Sequence, residues 1–533
     1  MPHSSVFSAV SRAMRVGEFA HDRTLSAREA LEHAARSDAA GLSRRRFLLA
    51  TSMAAGAAAV GAWPRAASGT PPWGNPRIAI VGGGLAGLCA ADALAGRGLS
   101  ATIYEAADRV GGRCWSLRGF FPGQVAERGG EFIDTTHQTM RHYAVRFGLA
   151  REDVRHEAGD VLYHFGGTTY SDAQIVEEYR RLVPRLRADL RTLSNEPTFF
   201  RHTPADAALD AVSLAEYLAT RAGDLPLVRA ALDEAYVAEY GLEAAEQSCL
   251  NLLLFIHADR RRRFKPFGVF SDERFHLVGG NDAIASGIAA GLPGPILTGR
   301  RLVRLARAAD GAYVLEFDDG PSATADFVVM TLPFSVLRTL DLDPSLGLSA
   351  DKRRAIDDLG YGNNAKTMVN FHGRPWSVVG GSGAMYSDLP EVQTTWETNA
   401  SAAGATSVLT DYAGGTRGQA IGAQPLQDQV AAFLGDLNEI VPGANVAAVR
   451  DGGGAVRAFR EHWPSNPLSR GAYTCYTPGQ FTSIAGLEGQ PAGRLKFAGE
   501  HADSFYSWQG FMEGACLSGI RAAGEIITDL RRR

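Results

Sequence analysis

Short apolar runs that end in glycine alternate with amphipathic stretches along most of this chain. The clearest run, 78–81, leads into a glycine turn at 82–84 and then into an alanine-rich stretch that begins at Leu85. A second apolar run, 101–104, ends at Glu105. This order predicts a strand, a tight turn, a helix and a second strand, which together make one βαβ unit.

The same patterns return further along, with helical periodicity between them. The segment 149–258 is mostly helical and charged, and apolar runs return at 275–284 and 313–331. The chain then ends with a strand at 495–500 and a helix at 510–530. We therefore predict an α/β fold in which the two ends of the chain form a two-part, Rossmann-type nucleotide-binding domain. An α+β substrate domain and a helical subdomain are inserted between these ends.

The predicted domain boundaries follow these changes of pattern. The length of 533 residues exceeds what a single hydrophobic core supports. In chain order we predict a leader with a signal peptide, 1–69; a linker, 70–76; a first nucleotide-domain segment, 77–120; a first substrate-domain segment, 121–149; a helical subdomain, 150–265; a second nucleotide-domain segment, 266–358; a second substrate-domain segment, 359–467; and a third nucleotide-domain segment, 468–533.

Three glycines around the first turn suit a phosphate-binding loop. Gly82 allows the tight turn, Gly84 lets the backbone approach a pyrophosphate, and Gly87 lets the helix pack closely on the strand. The free N–H groups and the positive end of the helix would hold the phosphate charge. Glu105 follows at about the 20-residue offset of a ribose-hydroxyl acceptor. The pattern predicts an adenine dinucleotide; the alternative is an ordinary strand-to-helix turn.

Composition excludes some classes of partner and of site. The net charge of −4 gives no electrostatic reason to expect nucleic acid or an anionic membrane. The five cysteines are scattered, so we predict neither a metal site nor a disulfide framework. Lysine is scarce, and its four positions are Lys265, Lys352, Lys366 and Lys496.

The region before the first strand contains an export-signal pattern. The segment 43–49 reads Ser-Arg-Arg-Arg-Phe-Leu-Leu, an apolar stretch follows to about 62, and small residues at 66–68 are candidate cleavage positions. The apolar stretch is shorter than the ~20 residues of a membrane-spanning helix. The pattern resembles a Tat signal, which implies export in the folded state to the periplasm or beyond. The alternative is a basic patch before an alanine-rich helix. We expect 1–69 to lie outside the fold.

A second glycine pair decides between the dinucleotides. The segment 109–116 reads Arg-Val-Gly-Gly-Arg-Cys-Trp-Ser, and its backbone donors and arginines would bind the same pyrophosphate. It is similar to the element that follows the ribose acid in glutathione-reductase-like FAD proteins, which implies FAD. The segment 494–500 resembles the strand and turn that meet the FAD ribityl and phosphate groups. The helix that begins near 510 would stabilise the negative charge of reduced flavin.

Together these motifs resemble the flavin amine oxidase family, which includes monoamine, polyamine and L-amino-acid oxidases. The resemblance covers most of 77–530. In monoamine oxidases a cysteine is bonded to flavin, and it directly precedes a tyrosine that forms part of an aromatic substrate cage. In this chain the tyrosine corresponds to Tyr473 and the preceding residue is Ala472, which implies non-covalent FAD. The implied FAD-binding residues are Gly82, Gly84, Leu85, Ala86, Gly87, Glu105, Arg109, Gly111, Gly112, Arg113, Gly129, Gly130, Glu131, Leu302, Gly499, Glu500, Gly510, Phe511 and Met512.

The segment 361–371, followed by Pro375-Trp376, is similar to the family segment that carries a lysine near flavin N5. By this resemblance Lys366 would hold a water against N5 and assist reoxidation by O₂. The physical reason is that a nearby positive charge stabilises superoxide. The alternative is a lysine at a strand end that reaches solvent.

Aromatic residues near the C-terminus would form a substrate cage. By resemblance Tyr473 supplies one wall and Phe511 the other, where many relatives carry tyrosine, and Trp508 lies at the rim. Two facing rings orient an amine, and ordinary core packing is the alternative. Lys366, Tyr473, Phe511 and Trp508 are the predicted catalytic residues. Hydride equivalents would pass from the carbon next to nitrogen to flavin N5; the imine is then hydrolysed and O₂ becomes H₂O₂.

The sequence leaves the substrate class open. Snake-venom L-amino-acid oxidases carry an arginine after the glycine pair to clamp the substrate carboxylate, and Ile133 stands at that position. Glu131 would meet a second cationic group, as in a diamine or a basic amino acid, or form a salt bridge with Arg128 or Arg141. The segment 477–481 resembles amino-acid oxidases.

Three other functions share some of this pattern. A carotenoid-desaturase-like flavoprotein would lack the lysine and the aromatic pair, and a flavin-binding scaffold would have lost turnover. An amine dehydrogenase would pass electrons to a periplasmic carrier. We predict an exported FAD-dependent amine or L-amino-acid oxidase whose partners are its substrate, O₂ and the Tat translocase. A homodimer is also a predicted state of the protein.

Overall fold

A computed structural model of the chain describes these residues: 5–35, 75–154, 159–261, 272–399, 404–503 and 508–532. The twin-arginine segment, the candidate cleavage positions and Lys265 lie outside them, as does most of the predicted linker. None of the helices described is long and apolar enough to cross a bilayer.

The strands are short and come from every region of the described chain. They are β1 (Ile78–Val81), β2 (Thr102–Tyr104), β3 (Ser116–Leu117), β4 (Ala126–Glu127), β5 (Arg151–Asp153), β6 (Asp160–Phe165), β7 (Thr168–Tyr170), β8 (Phe275–Leu277), β9 (Ile296–Leu297), β10 (Leu302–Arg307), β11 (Tyr313–Phe317), β12 (Ala323–Ala325), β13 (Phe327–Met330), β14 (Asp341–Leu342), β15 (Ala365–His372), β16 (Gly381–Ser387), β17 (Thr394–Glu397), β18 (Thr406–Ala413), β19 (Ala458–His462) and β20 (Leu495–Phe497).

The helices lie before, between and after these strands. They are α1 (Ser5–Arg23), α2 (Leu85–Ala95), α3 (Gln138–Arg146), α4 (Asp172–Leu190), α5 (Pro204–Asp210), α6 (Leu214–Arg221), α7 (Pro226–Tyr240), α8 (Leu250–Arg261), α9 (Ala283–Ala290), α10 (Phe334–Leu337), α11 (Ala350–Asp358), α12 (Gly415–Ile421), α13 (Leu426–Ile440), α14 (Ala444–Ala447), α15 (Gln480–Ser483) and α16 (Met512–Arg531).

The nucleotide-binding domain is built on a parallel five-stranded sheet in the order β20-β13-β1-β2-β9. The central strands β1 and β13 are buried along their whole length, which is why they read as continuous apolar runs. Helices α2 and α16 pack against each other and on this sheet. The prediction that the two ends of the chain complete one α/β domain is confirmed. A smaller four-stranded sheet, β12-β11-β10-β14, flanks it.

The substrate domain contains a seven-stranded sheet in the order β19-β15-β18-β17-β16-β6-β7. All its neighbours are antiparallel except β16 and β6, which are parallel. Strands β6 and β7 fall within 150–265, the stretch predicted to be helical, so that prediction is wrong for 160–170. The last four residues of β6 are all buried, and such a run cannot be assigned to strand or helix from periodicity alone.

The helical subdomain therefore begins at α4 and runs to α8. Helix α4 starts with a capping box between Ser171 and Gln174. Helix α7 starts at Pro226 and ends at Tyr240. Gly241 follows as its C-cap, and its φ of +75° is left-handed. The C-terminal turns of α7 pack on strands β16 to β18 and bring the subdomain against the substrate sheet.

The N-terminal helix α1 belongs to this fold, so the prediction that 1–69 lie outside it is wrong for 5–35. Val16 and Ala20 are fully buried, and α1 packs on α4, α7 and strands β16 and β17 of the substrate sheet. A Cβ on Gly17 would lie 2.6 Å from Tyr179 Cδ1, so glycine permits this close approach. The buried positions follow a helical period, a signal that the twin-arginine motif overshadowed.

Candidate active site

A cavity of about 310 Å³ lies at the carboxyl ends of the parallel strands, where ligands bind in open α/β sheets. Residues at the ends of four strands line it. Gly82, Glu105 and Thr331 directly follow β1, β2 and β13, and Gly499 comes shortly after β20. The first residues of α2 and α16 also line it, so both helix N-termini are directed at the cavity. The arrangement suits an anionic ligand such as a pyrophosphate.

Most of the cofactor-binding residues predicted from the sequence line this one cavity. They come from three distant stretches of the chain, which the sheet order brings together. They are Gly82, Gly84, Leu85, Ala86, Glu105, Arg109, Gly111, Gly112, Arg113, Gly130, Leu302, Gly499, Glu500, Gly510, Phe511 and Met512.

Three predicted cofactor residues do not line the cavity, and each has another role. A Cβ on Gly87 would collide with the carbonyl oxygen of Gly82, so Gly87 lets α2 lie close to the turn. A Cβ on Gly129 would likewise collide with the carbonyl oxygen of Arg113. Glu131 is engaged in a buried ion pair, described below. These three residues support the cavity wall, and their contact with the cofactor stays a prediction.

The backbone around the first turn is open to a ligand. A Cβ on Gly84 would have only the Cα of Gly112 near it, at 3.9 Å. The Glu105 carboxylate accepts hydrogen bonds from Gly83 N at 2.6 Å and from Ala107 N at 2.7 Å. Each carboxylate oxygen keeps a further lone pair, so the group can also accept from ribose hydroxyls.

Arg113 joins the first and third segments of the domain at the cavity wall. Its Nη1 donates to Glu500 Oε1 at 2.9 Å and to Ala472 O at 2.6 Å. Burial raises the pKa of Glu500, but Arg113 and His501 outweigh burial and hold it below its usual value. The second carboxylate oxygen of Glu500 has no hydrogen-bond partner among the described residues. This buried acceptor fits a hydroxyl of a bound dinucleotide.

Arg109 lines the cavity, but much of its hydrogen-bonding capacity is used by the wall itself. Its guanidinium donates to Val110 O at 3.2 Å and Gly112 O at 2.8 Å and lies 3.6 Å from the Trp115 ring centroid. Burial and the charge of Arg128 lower its pKa. Arg109 therefore builds the wall as well as adding charge to it.

Lys366 is the second residue of β15 and is completely buried, so it does not reach solvent as the alternative for it required. Its Nζ donates to Glu131 Oε2 at 2.6 Å and to the carbonyl oxygens of Glu127 and Gly129, each at 3.0 Å. Trp396 Nε1 donates to the other oxygen of Glu131 at 2.9 Å. Gly129 adjoins the cavity-lining Gly130, so the ion pair lies directly behind the cavity wall.

The two salt-bridge partners suggested for Glu131 are therefore wrong. Arg128 pairs with Glu461, with Nε and Oε2 2.5 Å apart, and Arg141 donates to the carbonyl oxygen of Thr135. Spacing along the chain favoured these arginines. Packing between separate sheets instead brings β15 beside the turn that follows β4 and presents Lys366 to Glu131.

Tyr473 lines the cavity, and its hydroxyl is fixed from behind. The hydroxyl lies 2.7 Å from that of Tyr412 on β18 and donates to the carbonyl oxygen of Glu239 on α7. Burial raises the pKa of Tyr473 far above its ordinary value, so the phenol stays protonated. One ring at the cavity wall thus connects the nucleotide domain, the substrate sheet and the helical subdomain.

Phe511, the N-cap of α16, lines the same cavity, whereas Trp508 lies behind it. The Trp508 and Phe511 ring centroids are 5.7 Å apart and almost perpendicular. The ring of His137 contacts both, at 4.8 Å from Trp508 and 5.0 Å from Phe511. The sequence predicted the two hydrophobic aromatics and missed His137, which precedes α3 and lies far from them along the chain.

The site also contains Trp396 and Tyr412, which the sequence analysis missed. Both are buried on neighbouring strands of the substrate sheet, with ring centroids 5.7 Å apart. In the sequence they read as ordinary aromatic strand residues, which are common in sheets. Only the pairing of β17 with β18 reveals that they face Glu131 and Tyr473.

Comparison with known proteins agrees with this geometry. The chain matches the flavin-containing amine oxidoreductases over residues 85–527. It is 26% identical to the L-amino-acid oxidase of Siganus canaliculatus over 473 residues, which span 84% of this chain and 85% of that protein.

Two solved structures show the same fold. The cyclohexylamine oxidase of Brevibacterium oxydans has a TM-score of 0.73 at 22% identity, covering 86% of this chain and all of that one. A putrescine oxidase bound to putrescine has a TM-score of 0.72 at 20% identity, covering 85% and 99%. The resemblance seen in the sequence is confirmed: the chain belongs to the flavin-containing amine oxidoreductase family, and it is an FAD-dependent oxidoreductase that acts on amines.

Proposed function

We propose that this protein oxidises an amine without a carboxylate group and passes the electrons to O₂. The observation that carries the substrate class is the state of Lys366. Among the described residues it is the only cation over the Trp396 and Tyr412 rings, at 5.5 and 5.9 Å, and it is already paired with Glu131. A substrate carboxylate at this wall would find no cation left to bind it.

The residues of this chain bind and orient the amine; FAD, when bound, would accept the hydride, and O₂ would then take up the two electrons with two protons as H₂O₂. Tyr473 and Phe511 form apolar walls that hold the carbon–nitrogen bond of the substrate and exclude water. A buried, weakly polar pocket favours the neutral amine, so no catalytic base is needed. The imine product then hydrolyses to a carbonyl compound and ammonia, or a smaller amine.

An L-amino acid is the second candidate, favoured by the relative from Siganus canaliculatus that is named as an L-amino-acid oxidase. The two candidates differ in whether a carboxylate must be bound. Ile133 occupies the position at which the snake-venom enzymes carry a clamping arginine, and its side chain is fully buried in the nucleotide domain. This observation supports the amine.

The experiment is a substrate screen on the purified, FAD-loaded protein. Monoamines, diamines and L-amino acids are added anaerobically, and loss of flavin absorbance is followed; O₂ is then admitted and peroxide is measured. We expect bleaching by amines at lower concentrations than by the matching amino acids. Bleaching only by amino acids would overturn the substrate proposal, and bleaching without peroxide would show another electron acceptor.

Lys366 is proposed to accelerate the reaction with O₂ through its positive charge. Lys366→Met should slow reoxidation by about 10²-fold and change anaerobic bleaching far less. Stopped-flow measurement of the two half-reactions separates these effects. Lys496→Met is the control, because Lys496 is also buried but pairs with Asp529 near the C-terminus. Equal effects of Lys366→Met on both half-reactions would refute the role.

We further propose that the Tat pathway exports the protein, on the strength of the twin-arginine segment 43–49. Cleavage at 66–68 would separate α1 covalently from the domain it packs on. Replacing Arg44 and Arg45 with lysine should leave the protein in the cytoplasm, as measured by cell fractionation. N-terminal sequencing of the exported protein would show whether α1 is retained. Unchanged export of the lysine variant would refute the proposal.

A further inference from the structure

We propose that Glu131 is a positioning residue for the reaction with O₂. It supplies the counter-charge that keeps Lys366 protonated and fixes its ammonium group behind the cavity wall. This inference rests on the role proposed for Lys366. It assigns Glu131 a role other than cofactor contact or recognition of a second substrate cation.

The hydrogen bonds of Lys366 account for all three of its N–H donors. One proton is directed to Glu131 Oε2 at 2.6 Å and the other two to main-chain oxygens at 3.0 Å. A lysine ammonium has only three donors, so a bound water would have to displace one of these acceptors. Lys366 is therefore held as a fixed charge.

The carboxylate is fixed as firmly as the ammonium. Glu131 is 2% exposed, and its second oxygen accepts from Trp396 Nε1 at 2.9 Å. The Trp396 ring packs against Phe132, with centroids 6.0 Å apart, and against Tyr412. Neither partner can swing away without leaving a buried polar group unsatisfied.

The energetics of burial explain why the counter-ion matters. An isolated ammonium in a site without water is strongly disfavoured and releases its proton instead. Removing one partner of a buried pair typically costs 3–5 kcal/mol because the other charge is left uncompensated. Without Glu131, the uncompensated ammonium of Lys366 would favour release of its proton, and the charge proposed to assist O₂ would be lost with it.

The same contacts argue against a substrate cation at Glu131. A diamine or basic amino acid would have to displace Lys366 from Glu131 and break their 2.6 Å hydrogen bond. One carboxylate cannot neutralise two buried cations, so the exchange would leave a net charge in the wall. Glu131 is thus committed to Lys366 in the free enzyme.

Other titratable groups surround the pair on each neighbouring element. Glu461 on β19 lies opposite Lys366 in the sheet register but is paired with Arg128. Burial raises the pKa of Glu127, on β4, to about 8. His276 on β8 pairs with Glu152, and Tyr412 lies on β18. Apart from Glu461 in its own control variant, these groups remain in every variant below, so variants are compared with one another at each pH.

The test uses Glu131→Gln in the FAD-loaded protein, with Glu461→Gln as the matched control. Glu131→Gln keeps the shape and an acceptor but removes the negative charge. We expect reoxidation to slow by about tenfold or more at pH 8, with anaerobic bleaching changed less than about threefold. Reoxidation should recover as the pH falls towards 6, because protonation restores the charge on Lys366. Wild type and Glu461→Gln should lack this pH dependence.

A second measurement detects the charge of Lys366 near the flavin without catalytic turnover. Sulfite adds reversibly to oxidised flavin, and its affinity rises with positive charge near the ring. The ratio of sulfite affinity at pH 6 to sulfite affinity at pH 8 should be several-fold larger for Glu131→Gln than for wild type. An unchanged pH profile for both reoxidation and sulfite binding would overturn the proposal.

The double variant, Glu131→Gln with Lys366→Met, keeps the test decisive if the single variant unfolds. It buries neither charge, so it should regain thermal stability and reoxidise as slowly as Lys366→Met alone. If Lys366→Met slows reoxidation but Glu131→Gln does not, only the role of Glu131 fails. If Lys366→Met leaves reoxidation unchanged, the proposed role of Lys366 fails first.

Discussion

At the residue scale, the side chains of this site are held by partners far away in the sequence. Lys366 and Glu131 are 235 positions apart, and Tyr473 and Tyr412 are 61 apart. Local motifs predicted Lys366 and Tyr473, because each lies in a segment similar to one in the family. They could not predict the partners, because strand pairing and domain contacts decide which side chains meet.

The hydroxyl of Tyr473 provides a test of this arrangement. Tyr473→Phe leaves the Tyr412 hydroxyl and the Glu239 carbonyl oxygen without this partner, which should cost about 1–3 kcal/mol of unfolding free energy. The control is Tyr386→Phe on β16, since the buried Tyr386 hydroxyl has no hydrogen-bond partner among the described residues. Chemical denaturation measures both variants. A smaller loss for Tyr473→Phe than for Tyr386→Phe would contradict the hydrogen-bonding scheme.

Ala472 gives a second residue-scale prediction. It is buried, lines the cavity directly before Tyr473, and stands where monoamine oxidases carry their flavin-linked cysteine. We expect wild type to release its flavin on denaturation and Ala472→Cys to retain a covalently bound fraction. Flavin fluorescence on a denaturing gel distinguishes the two. Cys475→Ala is the control and should leave flavin release unchanged; retained flavin in wild type would refute non-covalent binding.

At the scale of elements, long periodic helices and glycine-flanked strands were predictable, whereas short buried strands were not. The strand, turn and helix from β1 to α2 occur where the sequence placed them, because the glycines and the apolar run agree. Strand β6 was missed because one of its pairing partners, β16, lies more than 200 residues away, and β7 was missed with it because its partner among the described strands is β6. Helix α1 was missed because a signal motif took precedence over its amphipathic period.

The docking of α1 can be tested by placing a charge at its buried face. Ala20 is fully buried, and Ala20→Asp would introduce an unpaired charge there, which should cost about 3 kcal/mol and lower the Tm. Arg28→Asp is the control, because the Arg28 side chain is 87% exposed. Differential scanning calorimetry of the full chain measures both. Equal Tm values for the two variants would show that α1 is not docked.

Strand β18 carries a buried carboxyl group that makes stability depend on pH. Burial raises the pKa of Asp411 from 3.8 to about 8. Between these values the folded state holds a proton that the unfolded state has released, so the unfolding free energy falls as the pH rises. Asp411→Asn cannot ionise and should lack this loss, becoming more stable than wild type by about 2–5 kcal/mol above pH 8.

Urea denaturation at pH 5, 7 and 8.5 checks this prediction. The advantage of Asp411→Asn over wild type should grow steadily across the series. Asp318→Asn serves as the control, because Arg301 lowers the pKa of Asp318 and its carboxyl stays ionised throughout this range. A constant difference between Asp411→Asn and wild type at all three pH values would count against a raised pKa.

At the scale of the whole molecule, the cofactor site belongs to no single stretch of chain. Its walls come from 81–130, 300–340 and 463–515, and the sheet order β20-β13-β1-β2 makes them neighbours. FAD binding is therefore linked to folding of the entire nucleotide domain. Free FAD at 100 times its dissociation constant should stabilise the protein by about 2.7 kcal/mol. An unfolding free energy of the loaded protein that does not change with added FAD would contradict this linkage.

This division of the cavity also orders events during synthesis. The last wall, 463–515, is synthesised after the other two, so a nascent polypeptide that lacks it has no complete pocket in which to retain the flavin. Stable binding of the flavin must therefore await synthesis of residues 463–515. A product that stops short of α16 will be colourless, however well the preceding residues fold.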